Sequence, residues 1–472
     1  MSIEDINIEE TIAKVERTLS KEKKISSELR ALIQLLLIVV KLLINRLSLN
    51  SRNSSKAPST EPNRVRGRHR KSEGERKPGG QPGHKGVQLK PVSDPEIIET
   101  IDIDRKSLPC GKYTHVGYEK RQVIDIVVSR QVTEYRAEII KDQKGTKYVA
   151  RFPQGVNRPV QYGTGLKAKA VYMSQQQLVP YERIEEYFRS QCGISVSPGS
   201  LFNFNKEAFE KLERFEKICR KKLRKAEVLH NDETGINVNG KLLWLHSASD
   251  TKWTLFFPHE RRGATAMKAM KILPYLKGIS VHDHWKAYFR FSCEHALCNA
   301  HLLRELTRAW EQDRQQWGRS MKRLLLKIKK SVDEAGGKLS EEKAQIFHKK
   351  YRGLIYRAHA QCPVPKSHGP PKRGRPKKNK ARNLLDRLDK YQTEVLRFMT
   401  DERVPFTNNL AERDLRMTKV QQKISGCFRS IEGARIFCRV RGYLSTCRKQ
   451  GIQPTDALRL VFAGKSPLLL RP

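Results

Sequence analysis

From Ala226 to Trp310, short apolar runs alternate with helical stretches in an order that leaves few folds open. The run AEVLHND (226–232) reads as a buried strand. INVNGKLLWLHSAS reads as a hairpin, because Asn239-Gly240 suits a type I′ turn, and TKWTLFFP after Asp250 supplies a third strand. A helix over ATAMKAMKILPYL, a fourth strand at GISVHD, a helical stretch, a short fifth strand at HALCNA and a helix at LLRELTRAW complete the series β-β-β-α-β-α-β-α. In a sheet wound this way the ends of the first and fourth strands adjoin.

Those two ends carry acids. Asp232 closes the first strand in VLHNDETG, and Asp283 closes the fourth in GISVHDHWKAYF. A third acid, Glu412 in TNNLAERDLR, lies in a helix starting near Asn408-Asn409, residues able to cap it. Residues 302–400 between them read as a mostly helical insertion. Two strand-end acids met by one on a helix laid across them is the ribonuclease-H-like arrangement. The expected fold is therefore α/β: a ribonuclease-H-like catalytic core, a mixed sheet with flanking helices and a helical insertion, joined to an N-terminal coiled coil and small accessory domains. The chemistry gives such a cluster its use. In-line attack on a phosphodiester develops charge on the entering and leaving oxygens, and two Mg²⁺ ions roughly 4 Å apart neutralise both. Hard cations take oxygen ligands, so Asp232, Asp283 and Glu412 are expected to be both catalytic and metal-binding, with Mg²⁺ as cofactor and Mn²⁺ suited to the same oxygens.

The remaining charge points the same way. Lys and Arg number 93 against 50 Asp and Glu, a formal net charge of +43, which predicts a polyanionic partner, most simply double-stranded DNA. A basic ribosome-associated or membrane-surface protein is the blander reading. Nine cysteines, an odd number, and an acidic N-terminus, MSIEDINIEE, that does not read as a signal peptide suggest a reduced, intracellular protein in the cytoplasm. The apolar run 31–47 is interrupted by Gln34, Lys41, Asn45 and Arg46 and is not read as a membrane span, so no membrane partner is expected.

Outside the catalytic stretch the chain divides by composition. Ile8, Ile12, Val15 and Leu19, then Leu29, Leu32, Leu36, Val39 and Leu43, keep a coiled-coil spacing, which makes residues 1–50 an oligomerisation helix of a homo-oligomer; a helix packed on its own body is the alternative. Residues 51–95 are rich in Ser, Pro, Gly and positive charge and read as a flexible basic linker. Residues 96–160 turn β-like and read as a small β-rich domain. Residues 161–222 read as helical: Gly193 and Ser197-Pro198 punctuate two helices in a helix-turn-helix-like, DNA-binding layout that also fits an ordinary helical hairpin. The catalytic domain is assigned to 223–425 with its insertion at about 311–400, and 426–472 to a basic helical C-terminal region.

Several basic residues are candidates for DNA contact. PPKRGRPKKNKAR (370–382) contains Arg373-Gly374-Arg375-Pro376, the core of an AT-hook, followed by Lys377 and Lys378; it reads equally as a solvated basic loop. Arg413, Arg416, Lys419 and Lys423 recur around Glu412 at three-to-four-residue spacing, and Arg439 and Arg441 follow in FCRVRGYLSTCRKQG. Six to ten phosphate contacts would lower affinity by roughly 10³–10⁵ between 50 and 200 mM salt. Cys293-x-His295-x2-Cys298-x2-His301 has ligands of the type zinc takes, but strand alternation turns Cys298 away from Cys293 and His295, so no zinc is expected there. Instead Cys298 is expected to pack in the core, while His301 and Arg304 on the following helix approach the carboxylates or the scissile phosphate. Gly464-Lys465-Ser466 lacks the glycine five residues ahead that a phosphate-binding loop requires.

The strings HNDETG…GK…W, HDHWKAY…CNAHLLREL and NNLAERDLRMTKVQQKISGCFRS resemble the transposases of the IS66 insertion-sequence family, as do NSRNSSKAPS and RKPGGQPGHKG near the N-terminus. The resemblance covers nearly the whole chain, and NNxAER is its most specific piece. It implies a DDE-type DNA transposase, bacterial and nucleoid-associated, with Asp232, Asp283 and Glu412 as metal ligands and His301, Arg304, Asn409, Arg413 and Arg416 as candidates for active-site support. Its partners would be the element's ends and target DNA, with helper proteins of the same element as further candidates. The chain departs from the family at the zinc module, where only Cys110 of the usual paired cysteines remains. A ribonuclease-H-like nuclease or resolvase, or a catalytically inactive DNA-binding relic, is the alternative.

Overall fold

A computed structural model describes residues 2–3, 6–22, 25–47, 53, 89–364 and 378–465. Most of the expected linker, and Arg373, Arg375 and Lys377 of the expected AT-hook, lie outside the described residues. Helices α1 (Ile8–Lys21) and α2 (Ser27–Leu47) carry the heptad-like apolar series, and Lys41 of α2 pairs with Glu16 of α1. Leu19 is buried, whereas Leu29, Leu32, Leu36, Val39 and Leu43 are 44–62% exposed, as are Leu35, Ile38 and Leu42 beside that series, so α2 exposes a broad apolar face that includes the heptad stripe.

Residues 96–160 differ from the expected β-rich domain. Among the described residues they form one short hairpin, Ile139–Lys141 with Lys147–Val149, and a 3-10 turn at Arg105–Ser107. Ile101, Val116, Val123 and Val127 are each 90% or more exposed. The period-two pattern is present, but among the described residues no second layer covers its apolar face, and an extended segment without a neighbouring strand does not make a sheet.

From residue 164 the chain is helical: α3 (Thr164–Val171), a π-helical turn at Tyr172–Gln176, α4 (Tyr181–Cys192), α5 (Pro198–Lys211) and α6 (Glu213–Arg224). Gly193, at φ 61°, ends α4 in the left-handed region, and Ser197 Oγ accepts from Ser200 N at 3.2 Å to cap α5.

A five-stranded mixed sheet follows. Its strands are β1 (Val228–Val238), β2 (Lys241–Ser249), β3 (Thr254–His259), β4 (Ile279–His282) and β5 (Glu294–Leu297). They lie in the order β3-β2-β1-β4-β5, the first three antiparallel, β1–β4 and β4–β5 parallel. Asn239 (φ 47°) and Gly240 (φ 79°) make the β1–β2 turn with the two positive φ values a type I′ turn needs. β1 does not stop at Asp232 as its sequence suggests; DETGINV continues the same strand to the turn, because each residue from Asp232 to Val238 finds a partner in β2. Helix α7 (Ala264–Met270) crosses between β3 and β4.

After β5, α8 (Asn299–Glu311) leads into the insertion: α9 (Gln316–Glu334), α10 (Glu341–Gln361), α11 (Lys380–Lys390) and the short α12 (Gln392–Leu396). Then α13 (Asn409–Ser425) packs across β1 and β2, α14 (Ile431–Lys449) runs along β3, and α15 (Pro454–Phe462) closes against α3. Gly442 of α14 lets that helix approach β3 closely, since a Cβ there would lie 3.1 Å from Thr254 O.

Three apolar clusters hold these layers. The largest joins α3–α6 to α14, α15 and sheet residues such as Leu229, Ala248 and Leu255. The 161–222 helices therefore share a core with the C-terminal helices. Their apolar faces, Leu201, Phe204 and Ala208 on α5 among them, are spent on that core. The second cluster packs the insertion and α8 on β4 and β5, and the third seats Leu415 of α13 on Ile236 and Leu245. Among the described residues no helix is long and apolar enough to cross a membrane.

Candidate active site where strands β1 and β4 meet helix α13

The parallel ladder between β1 and β4 has His230 opposite Val281 as its last pair, and Asp232 and Asp283 each lie two residues beyond it. The same register thus delivers both acids to the place where the ladder ends. Asp232 Oδ1 accepts from Glu233 N at 2.9 Å, and Asp283 Oδ1 from Trp285 N at 2.9 Å. Burial, and after it the charges of Glu233 and Asp283, push the Asp232 carboxyl up to about 7. Like charges concentrated in a half-dry site are what a divalent cation relieves, and all the donors are carboxylate oxygens. The donor chemistry of Asp232 and Asp283 therefore fits a hard cation.

Glu412 comes from the first turn of α13. Its Oε1 lies 3.8 Å from His301 Nδ1, and the His301 imidazole also acts on Asp232. His301, in the first turn of α8, therefore acts on both the helix acid and the strand acid. The Cys298 sulfur beside it and the Glu412 carboxylate raise its pKa to about 9, with Arg304 opposing them. The three acids do not by themselves lie at joint-ligand distance; among the described residues the tightest ligand-type group is Cys298, His301 and Glu412.

Asn408 fixes the start of α13. Its Nδ2 donates to Asn231 O at 2.8 Å, its Oδ1 pairs with His230 Nδ1 at 2.8 Å, and its backbone N donates to Cys298 Sγ at 3.2 Å. The expected support residue Asn409 is exposed instead. Asn408 sits at the N-cap, but its side chain turns into β1 and leaves the helix's own N–H groups uncapped.

A second buried acid was not singled out by sequence. Glu233 points away from Asp232 to the other face, with its side chain 1% exposed. Arg262 donates to its Oε1 from Nε (2.9 Å) and Nη2 (2.7 Å), and Tyr288 Oη donates to Oε2 at 2.5 Å. The Arg262 guanidinium lies over Trp244 at 4.8 Å and Trp285 at 4.3 Å. Trp285 also donates to Asp283, so this network ties Glu233 to the loop that carries Asp283. Its only sequence signal is the acid adjacent to Asp232: a strand neighbour on the opposite face needs a cationic partner once buried.

The model of the IS66 family of transposases matches residues 159–436, a stretch that contains all of these side chains. This chain belongs to the IS66 transposase family. A family of unknown function matches residues 2–90, and no curated protein matches the chain. In this IS66-family chain the basic residues divide into two sets. Arg413, Arg416, Lys419 and Lys423 stand exposed along α13, with Lys419 Nζ anchored to Gly235 O at 2.7 Å over β1. Arg439 and Arg441, expected to face DNA, are structural. Arg439 pairs with Glu216, donates to Phe209 O at 2.8 Å and lies 3.6 Å over the Phe209 ring. Arg441 is 9% exposed and donates from Nη1 to Gln175 O, Gln176 O and Gln176 Oε1 at 2.9–3.0 Å. Lys378 pairs with Asp386 at 2.5 Å, on the edge of α11.

Cys293 is buried in the large core and His295 pairs with His282 Nε2 at 3.0 Å, so neither joins Cys298 and His301. The alternation that separates these pairs is visible in the sequence.

Proposed function

We propose that this IS66-family transposase is a DDE-type enzyme that binds the ends of its element and joins them to target DNA through 3′-hydroxyl attack on a phosphodiester. The observation that carries the reading is the delivery of Asp232 and Asp283 by one strand register to a point that α13 brings Glu412 towards. The sheet order, three antiparallel strands followed by two parallel ones, supports the ribonuclease-H-like assignment.

Asp232, Asp283 and Glu412 would hold Mg²⁺, or Mn²⁺ in its place, which supplies charge neutralisation for the entering and leaving oxygens. The chain's own groups do the rest. Asp232 keeps its proton up to near neutral pH until a positive charge favours the carboxylate. The His301 imidazole lies 3.8 Å from Glu412 and also acts electrostatically on Asp232, and Asn408 fixes the helix start that carries Glu412. Arg413, Arg416 and Lys423 offer phosphate contacts beside the site, with Arg304 close to His301. The uncovered stripe of α2 supports a homo-oligomer through the N-terminal helices, which would bring two ends together. Action on the bacterial nucleoid in the cytoplasm, with helper proteins of the element, belongs to the same reading.

The test is Mg²⁺-dependent nicking of duplex DNA that carries the element's end. Strand breakage at the end's 3′ boundary by the parent protein, absent from Glu412→Gln, is the expected result. Cleavage that releases ends without ever joining them would favour a nuclease or resolvase. Tight binding without any cleavage would identify a catalytically inactive DNA-binding protein.

A further inference from the structure

Beside the carboxylate pair lies a donor set of different chemistry. Cys298 closes β5 as the residue before α8, His301 follows one turn later, and Glu412 faces both from α13. One ligand atom from each, a thiol sulfur, an imidazole nitrogen and a carboxylate oxygen, all lie within 4.8 Å of one another. Ligands around a tetrahedral zinc are separated by about 3.5 Å, given bonds of about 2.0–2.3 Å. The 3.8 Å between His301 Nδ1 and Glu412 Oε1 is already close to that. Both atoms are buried and, among the described residues, neither has a hydrogen-bond partner, while the Cys298 sulfur also acts on the His301 ring, so the three groups face one space. Cys298 is 2% exposed, and its sulfur accepts from Asn408 N, which aims it at the start of α13.

We propose that Cys298, His301 and Glu412 form a binding site for zinc or another thiophilic divalent cation, with water as the fourth ligand. Mg²⁺ prefers an all-oxygen shell and has little affinity for sulfur, whereas Zn²⁺ accepts this mixed set. The sequence spacing Cys293–His301 offers ligands of the type zinc takes, and strand alternation turns them apart. The structure changes the partners: Cys293 and His295 leave, and an acid from 111 residues beyond His301 arrives. Since Glu412 belongs to both donor sets, the thiophilic ion and the hard-cation site compete for one carboxylate. Zinc bound here withdraws Glu412 and acts as an inhibitor of Mg²⁺-supported chemistry.

The site goes beyond the proposed catalysis, and its test needs no DNA. Co²⁺ added to the full-length, metal-free protein should give the near-ultraviolet thiolate-to-cobalt charge-transfer band, bleached when Zn²⁺ displaces it. Cys298→Ser should abolish the band and His301→Gln should abolish or shift it, with unchanged circular dichroism. Cys293→Ser and Asp232→Asn should retain it. Zinc affinity in Cys298→Ser should fall by more than the roughly 10–100-fold that loss of a mere outer partner costs. No band in the parent protein, or a band that survives Cys298→Ser, would overturn the site. A parent protein that binds Co²⁺ through Cys298 yet never cleaves DNA would keep this inference while removing the catalytic one.

Discussion

At the scale of single residues the account turns on the cost of keeping Asp232 charged. An aspartate titrates near 3.9 in an unfolded chain, and in the folded protein burial, Glu233 and Asp283 push it up to about 7. The folded state then holds a proton that the unfolded state has lost, so stability falls as pH rises from about 4 to 7. In the absence of divalent metal, Asp232→Asn should therefore melt above the parent at pH 8 and level with it at pH 4. Mg²⁺ should raise the parent's melting temperature more at pH 8 than at pH 5, and should not do so in Asp232→Asn. Calorimetry at pH 4, 5 and 8 checks both; equal Mg²⁺ shifts in parent and variant would contradict a role for Asp232 in holding the cation. The parallel register that puts Asp232 and Asp283 equally far beyond the ladder's last pair follows from strand signals readable in the sequence, whereas the continuation of β1 past Asp232 does not. Nor does the pairing of Glu233 with Arg262, because it joins residues 29 apart in sequence through a fold the local pattern does not specify.

At the scale of elements, the junction between α13 and β1 is the point of greatest sensitivity. Asn408→Ala leaves Asn231 O and the His230 ring without their buried partner, a loss of about 1–3 kcal/mol. It also frees the helix start that positions Glu412, and a displacement of about 1 Å at a reacting group costs on the order of 100-fold in rate. Hydrogen exchange should show faster opening of α13 with β1 protection retained; unchanged protection would contradict the role given to Asn408. Arg441 makes the complementary case. Arg441→Met should destabilise the protein by about 3 kcal/mol, because carbonyls of Gln175 and Gln176 lose a charged donor. The salt dependence of DNA binding should stay unchanged. Arg416→Ala should do the reverse, leaving stability unchanged and reducing the salt slope by about one. Charge and spacing place Arg439 and Arg441 among the candidates for DNA contact because sequence does not reveal that the helix carrying them is buried on nearly all sides. Strand, turn and cap signals at Asn239-Gly240, Gly193 and Ser197 read correctly because each is a local conformational demand. The β pattern over 96–160 misled for the converse reason: alternation states a preference, and pairing partners decide whether it is met.

At the scale of the whole molecule, helices that looked like separate modules at 161–222 and 426–472 are parts of one core against the sheet, so the sheet does not detach from them. The N-terminal helices are different, with an apolar stripe on α2 left uncovered in a single chain. Deletion of residues 1–47 should convert an oligomer into a monomer in sedimentation while leaving the melting of the remainder unchanged; an unaltered mass would place self-association elsewhere. The central claim is that Asp232, Asp283 and Glu412 form one catalytic centre, and the most direct test is strand joining. Purified protein with Mg²⁺ is given end DNA bearing exposed 3′-hydroxyls and a plasmid target, beside Asp232→Asn, Asp283→Asn and Glu412→Gln. The account predicts joining by the parent and none by the three variants, each still folded and bound to the ends; joining that survives any one of the substitutions would contradict it.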